Sequence, residues 1–159
     1  CAYGDTCPRP AQPRYGVLAE YFADQTLTSL RSRRIEGSLA FGYYGETDVP
    51  SGSFLPSGAN YSARWTGYLK APVTGTYTFT LTADDGARLW LNNVQRVNRW
   101  EYIDPPTNTF SVSLQAGQSY PIRMEMYQGS GGAAAILEWA YPGQPKQLIP
   151  VRHLTIDKP

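Results

Sequence analysis

The sequence predicts an all-β protein, an antiparallel two-sheet β-sandwich or wrapped barrel of jelly-roll type. Apolar residues alternate with polar ones in run after run, and no window shows the 3.6-residue period of a helix. Thirteen prolines and fifteen glycines punctuate these runs. Twelve tyrosines, with charged residues at only 17%, fit a turn-rich, aromatic-rich β protein better than a helical or disordered one. At 159 residues the chain is long enough for one domain with a substantial core. The expected division is an extended tail over 1–14 and a single sandwich over 15–159.

Pro8, Pro10 and Pro13 keep the tail extended. A first strand is expected over 15–22, where Val17, Ala19 and Tyr21 alternate with Leu18, Glu20 and Phe22. From 23 to 60 the period is weak and broken by Gly37, Gly42, Gly45, Pro50, Gly52, Pro56 and Gly58, which predicts loops with short strands. Regularity returns over 61–69, with Ala63, Trp65 and Leu69 turned to the core, and over 76–82, with Tyr77, Phe79 and Leu81 on one side and four threonines on the other. Ala87, Leu89 and Leu91 alternate next, and Asn92-Asn93 supplies a tight hairpin, because both residues tolerate positive φ. Residues 98–108 read as a loop. Phe110, Val112 and Leu114 then alternate, followed by Tyr120, Ile122, Met124 and Met126; Leu137 and Trp139 share a face in 133–141, and a last short strand is expected within 147–154.

The formal charge of +1 argues against nucleic acid as a partner. The only basic cluster, Arg31, Arg33 and Arg34, reads as a solvated sheet edge. No run approaches the ~18 apolar residues of a membrane helix, so no membrane insertion is expected. The chain begins without Met, which leads us to expect a processed piece of something longer, with further domains as partners in a parent chain. Cys1 and Cys7 lie in one short tail and are expected to close a disulfide worth about 2 kcal/mol by chain entropy, as in a secreted or cell-surface setting. Lipidation of Cys1 is the alternative.

Catalysis finds no support. His153 stands without a cysteine or serine in a nucleophile motif, and no two carboxylates are placed across a cleft, so no enzyme activity is expected. The stretch that stands out is Asp84-Asp85-Gly86, between two alternating runs. Neighbouring strand residues point to opposite faces, so two adjacent carboxylates grip one ion only if the backbone leaves the extended trans form. A cis peptide, with Cα atoms about 2.9 rather than about 3.8 Å apart, would turn both to one side. The competing reading is a plain Asp-Gly hairpin turn, and composition alone favours it.

The order of several pieces adds to this. Gly16-Val17-Leu18-Ala19-Glu20-Tyr21-Phe22, Gly75-Thr76-Tyr77-Thr78-Phe79 leading into Asp84-Asp85-Gly86-Ala87-Arg88-Leu89-Trp90-Leu91, Tyr120-Pro121-Ile122-Arg123-Met124-Glu125, Leu137-Glu138-Trp139, Pro142-Gly143 and Leu148-Ile149-Pro150 follow one another over 15–156. In this arrangement the chain resembles the protective-antigen-fourteen (PA-fourteen) domain family. The resemblance implies a secreted β-sandwich module of the kind found in adhesins, glycosidases, proteases and toxins. It also implies, from the family's lectin members, that Asp84 and Asp85, joined by a cis peptide, hold Ca²⁺, which in turn holds vicinal sugar hydroxyls. The further ligands implied are the side-chain oxygen of Gln128 and, if residues 128–132 run extended, the carbonyls of Ser130 and Gly132. Some lectin members carry Asn where Gln128 stands, and the longer amide shifts the register of that loop.

Calcium takes about six to eight oxygens, which leaves positions for water or sugar. Trp100 and Tyr102 are candidates to stack on a sugar face, or else core residues that anchor their loop; Tyr43 and Tyr44 form another possible wall. Asn60-Tyr61-Ser62 is a glycosylation sequon. Two functions follow: a calcium-dependent carbohydrate-binding module of lectin or adhesin type with a glycan or polysaccharide as partner, or a non-catalytic structural or protein-interaction domain without sugar.

Overall fold

The computed structural model describes residues 11–42, 53–56, 59–101 and 106–159. Cys1, Cys7, Tyr43, Tyr44 and Tyr102 lie outside them. Two open antiparallel sheets face each other, and neither closes into a barrel. The first has the order β2-β1-β4-β9-β6-β7, formed by β1 (Val17–Phe22), β2 (Leu30–Glu36), β4 (Tyr61–Lys70), β6 (Gly86–Leu91), β7 (Val94–Arg99) and β9 (Ser119–Gln128). The two-residue β12 (Leu154–Thr155) adds to β4. The second sheet runs β11-β10-β5-β8, from β5 (Gly75–Asp84), β8 (Thr107–Leu114), β10 (Ala134–Tyr141) and β11 (Gln144–Leu148), with β3 (Ala40–Gly42) on β10.

The period-two pattern decides which side chains lie between the sheets. Trp65, Tyr77, Phe79, Leu81, Leu89, Ile122, Met124 and Leu137, the residues that alternate inward, are all buried. Aromatic rings fill the second sheet's inner face: Phe79 stacks on Phe110 at 5.1 Å, and Tyr77 meets Trp139 at 5.5 Å. β4 and β9 pair over their full length, from Tyr61↔Gln128 to Lys70↔Ser119, and form the spine of the first sheet. Asn92 and Asn93 both take positive φ, at 54° and 61°, in the tight β6–β7 hairpin. His153 is structural: its ring lies 5.3 Å from Trp139, and burial lowers its pKa, with Arg152 adding to the effect.

Three stretches depart from expectation. Within the aperiodic region 23–60, β2 is a regular seven-residue strand. It is the edge of the first sheet and leaves Leu30 and Ile35 exposed, so no alternating apolar signature marks it. It also carries Arg31 and Arg33, exposed as expected of a solvated edge, whereas Arg34 is half-buried, bonded to Glu36 at 3.1 Å and stacked over the Tyr21 ring. The single strand expected within 147–154 is instead β11, a 3-10 turn (Val151–His153) and β12, because Pro150, in an extended conformation ahead of the turn, interrupts pairing. Of the loop expected over 98–108, residues 98–99 belong to β7 and 107–108 to β8.

Candidate functional site

β5 and β6 belong to different sheets, so Asp84-Asp85-Gly86 is not a hairpin turn. It is a corner at which the chain crosses from the second sheet to the first. Asp84 pairs with Ala134 of β10, and Gly86 with Tyr127 of β9. Between them the Asp85 N–H donates to the Tyr127 carbonyl at 3.0 Å, and the Asp84-Asp85 peptide is cis. Gly86 is required for room rather than for a turn. A β-carbon there would stand 2.3 Å from the Tyr127 ring and 2.8 Å from the Arg99 carbonyl oxygen and the Glu101 nitrogen.

The two carboxylates are in unequal surroundings. Asp85 Oδ2 accepts the Gly129 N–H at 2.6 Å. The Asp84 carboxyl is pushed up to about 6, first by burial, then by its hydrogen bond to Asp85 and by that neighbour's charge. Burial and the charges of Asp84 and Asp85 also raise the Tyr61 phenol, whose hydroxyl is buried without a hydrogen-bond partner among the described residues. Gln128, opposite Tyr61 in the β4–β9 ladder, is completely buried. Its Nε2 donates to the Gly131 carbonyl at 2.7 Å, while Oε1 has no hydrogen-bond partner among the described residues. A buried acceptor left without a donor costs about 1–3 kcal/mol, so such an oxygen calls for an occupant.

The loop after Gln128 is bent at residues 130–131 and takes positive φ at Gly131 (83°). The premise of an extended run with alternate carbonyls aimed to one side therefore fails. The Gly131 carbonyl is taken by Gln128; Ser130 is exposed and Gly132 half-buried. Trp100 is half-buried against the outside of the first sheet, its ring 5.1 Å from Tyr127, with the Arg88 guanidinium 3.8 Å over it. This places it beside Gly86 as an anchored ring.

Two further residues stand at the site: Gln25, which gave no signal in the sequence, and Asn60, which the sequence marked only as part of a glycosylation sequon. The Asn60 N–H donates to the Gly129 carbonyl at 3.0 Å, and the Gln25 amide donates to Asn60 Oδ1 at 2.9 Å. Gln25 is held there because Asp24 collects the N–H groups of Thr26, Thr28 and Ser29 within the β1–β2 loop. Local hydrogen bonds order this loop, the Asp24 carboxylate together with the Ala23 N–H to Ser29 carbonyl bond, and no period could announce it.

No group of three or more His, Cys, Asp or Glu side chains capable of holding a metal occurs among the described residues. A metal at the corner would have two carboxylates, the orphaned Gln128 Oε1 and neutral oxygens nearby. An all-oxygen set of that charge suits a hard divalent cation such as Ca²⁺ and offers nothing to a soft one. The residues present fit calcium.

Comparison with known proteins places this arrangement. The chain is 32% identical over 140 residues to the anti-sigma-I factor RsgI3 of Acetivibrio thermocellus, an alignment that takes in 87% of this chain and 21% of that protein. A solved anti-sigma factor domain-containing protein superposes with a TM-score of 0.83 at 31% identity, over 91% of this chain and 49% of the other. The chain thus spans well under two thirds of the length of both relatives. The A domain of epithelial adhesin 6 from Candida glabrata, solved in complex with Galb1-3GlcNAc, superposes at 0.72 over 95% of this chain and 91% of that one; at 17% identity it shows the shared fold alone. The PA14 domain profile matches residues 13–152, nearly the whole sandwich with its crossover corner, and the chain belongs to the PA14 domain family.

Proposed function

We propose that this PA14 domain is a calcium-dependent carbohydrate-binding module, secreted or displayed at the cell surface as part of a longer protein. Asp84 and Asp85 hold Ca²⁺ with Gln128 Oε1; the bend at residues 130–131 removes the extended run that would have aimed the Ser130 and Gly132 carbonyls at the ion, so they are left out of its shell. The remaining coordination positions take vicinal hydroxyls of a sugar. The observation that carries the reading is the fully buried Gln128 Oε1, without a hydrogen-bond partner, at the same corner as two carboxylates that no cation pairs with among the described residues. Its fold is that of an adhesin domain solved with a disaccharide bound. Trp100, fixed by Arg88 and Tyr127, offers a ring to the sugar, and Tyr102, two residues on in sequence and outside the described residues, is a second candidate. No residue here is assigned a catalytic role.

A second reading has its own support: the Gly129 N–H already satisfies one oxygen of Asp85, so the corner holds together by hydrogen bonding, as in a structural domain that uses the ion as a loop staple without sugar. Titration calorimetry with Ca²⁺ up to millimolar concentration, followed by a glycan array with and without chelator, separates the two. Heat with Ca²⁺ and glycan binding lost on chelation support the module. Heat without any glycan supports the staple. No heat, or glycan binding that survives chelation with Asp85→Ala in place, removes the calcium mechanism.

A further inference from the structure

The outer face of the first sheet carries two adjacent cross-strand rows. One runs Arg33, Glu20, Arg64, Glu125, Arg88 from β2 to β6. Arg33 meets Glu20 at 2.9 Å, and Glu125 accepts from Arg64 at 2.9 Å and from Arg88 at 3.1 Å. The next row runs Ile35, Leu18, Thr66, Arg123, Trp90. It floors a groove of about 620 Å³, walled on one side by Tyr68 and Pro121 and edged by Asn93. Arg123 lies in this groove. Its side chain is 45% exposed, its guanidinium is stacked 3.9 Å from the Trp90 ring, and its one acidic neighbour among the described residues, Glu125, 4.0 Å away, is already bonded to two other arginines.

Across the two rows four guanidiniums meet two carboxylates, an excess of two positive charges on one face of a chain whose formal total is +1. The Arg14–Asp157 pair at the groove's rim adds none. We propose that this groove binds an acidic polysaccharide, whose ring carboxylate pairs with Arg123, and does so without calcium. Leu18, Ile35, Tyr68, Trp90 and Pro121 give apolar and aromatic area to the C–H faces of pyranose rings, while Thr66 and Asn93 are within the same walls for hydroxyls. The charge selects the acidic ligand. One surplus guanidinium stacked on an indole suits a carboxylate borne on alternate sugars; a nucleic acid, whose affinity rests on neutralising many phosphates at once, would find too few cations here. Along β9, Arg123 is five residues from Gln128, roughly 17 Å at the rise of a strand, so groove and corner are separate sites.

The test is binding of three uronate polymers (hyaluronate, polygalacturonate and alginate) by the Asp85→Ala chain in excess EDTA, with neutral dextran and polyglutamate as controls. At least one uronate polymer should bind, weaken as salt is raised, and lose at least tenfold in affinity with Arg123→Gln and with Trp90→Ala. Arg123→Gln alters an exposed side chain, so it stands if Trp90→Ala fails to fold. Failure of all three polymers overturns the proposal. So does equal binding of dextran, which removes the acidic requirement, or of polyglutamate, which would make the face a patch for acidic protein. Dimerisation in sedimentation that Arg123→Gln abolishes would make it an interface between copies and overturn the proposal as well. None of these outcomes bears on calcium at the corner, which the Asp85→Ala background removes.

Discussion

Glu125 and the Asp84-Asp85 pair are carboxylate sites joined to the same strand, β9, and the chain treats them in opposite ways. Glu125 is buried, and two guanidiniums reach it at hydrogen-bonding distance with a third at 4.0 Å. Among the described residues no ion pair reaches Asp84 or Asp85. Instead they face each other, the buried Tyr61 hydroxyl and the Gly129 N–H. Taking a carboxylate out of water is expensive unless a counter-charge accompanies it. At Glu125 the sequence supplies that charge itself; at the corner no described residue supplies one. The contrast supports reading the corner as a site and the ladder as structure.

The comparison can be broken most forcefully at Glu125. Glu125→Ala leaves three arginines facing each other and should cost about 3 kcal/mol in urea denaturation, whether or not calcium is present. If the cost changes with calcium, the two sites are not independent. Calcium should act next. With free Ca²⁺ at about a hundred times its Kd, stability should rise by about 2.7 kcal/mol by mass action, and Asp85→Ala should abolish that rise while leaving the ladder's contribution intact. A wild-type melting temperature that ignores calcium would put the corner in the structural class. Asp84→Asn in chelator is a smaller effect of opposite sign. Removing one of two like charges that no cation balances should stabilise the calcium-free chain by under about 1 kcal/mol, since the site is partly open to solvent. A loss of stability would mean that the pair is satisfied without an ion.

The sequence announced the parts of this architecture that bury one face. β5 and β9 could be read almost to the residue, because Tyr77, Phe79 and Leu81, or Ile122, Met124 and Met126, alternate against polar neighbours over a real core. β2 could not, since an edge strand with Leu30 and Ile35 in solvent has no face to betray. At the site, the paired aspartates and Gln128 were legible as oxygen-rich chemistry. That β5 and β6 lie in different sheets was not, because a short link such as Asp85 between two alternating runs does not show in sequence whether the strands pair or part. The role of Tyr61 was hidden for a related reason: alternation says that it points inward, but not that a carboxylate pair from the other sheet meets it there. Gln25 and Asn60 owe their places to hydrogen bonds that carry no periodic signature.

The smallest effect concerns a group whose charged form has no counter-charge and no ion to receive. His153 packs on Trp139, its Nε2 is buried without a partner among the described residues, and its pKa is lowered from 6.5 by burial first and by Arg152 second. The unfolded chain therefore takes up this proton at higher pH than the folded one. Stability from the neutral ring is complete above about pH 6.5 and is lost as pH falls from there toward the folded-state value. Asp84, whose folded pKa is raised, works in the opposite sense over neighbouring pH values, so the wild-type profile mixes the two. The difference between wild type and His153→Gln, both in chelator and with Asp84 intact, isolates the histidine. The wild type should lose melting temperature relative to the variant as pH drops from 7 to 5, by a degree or two at most. Parallel profiles would show that Arg152 and the burial against Trp139 leave His153 free to charge in the folded chain, and that the rule drawn from Glu125 does not extend to this ring.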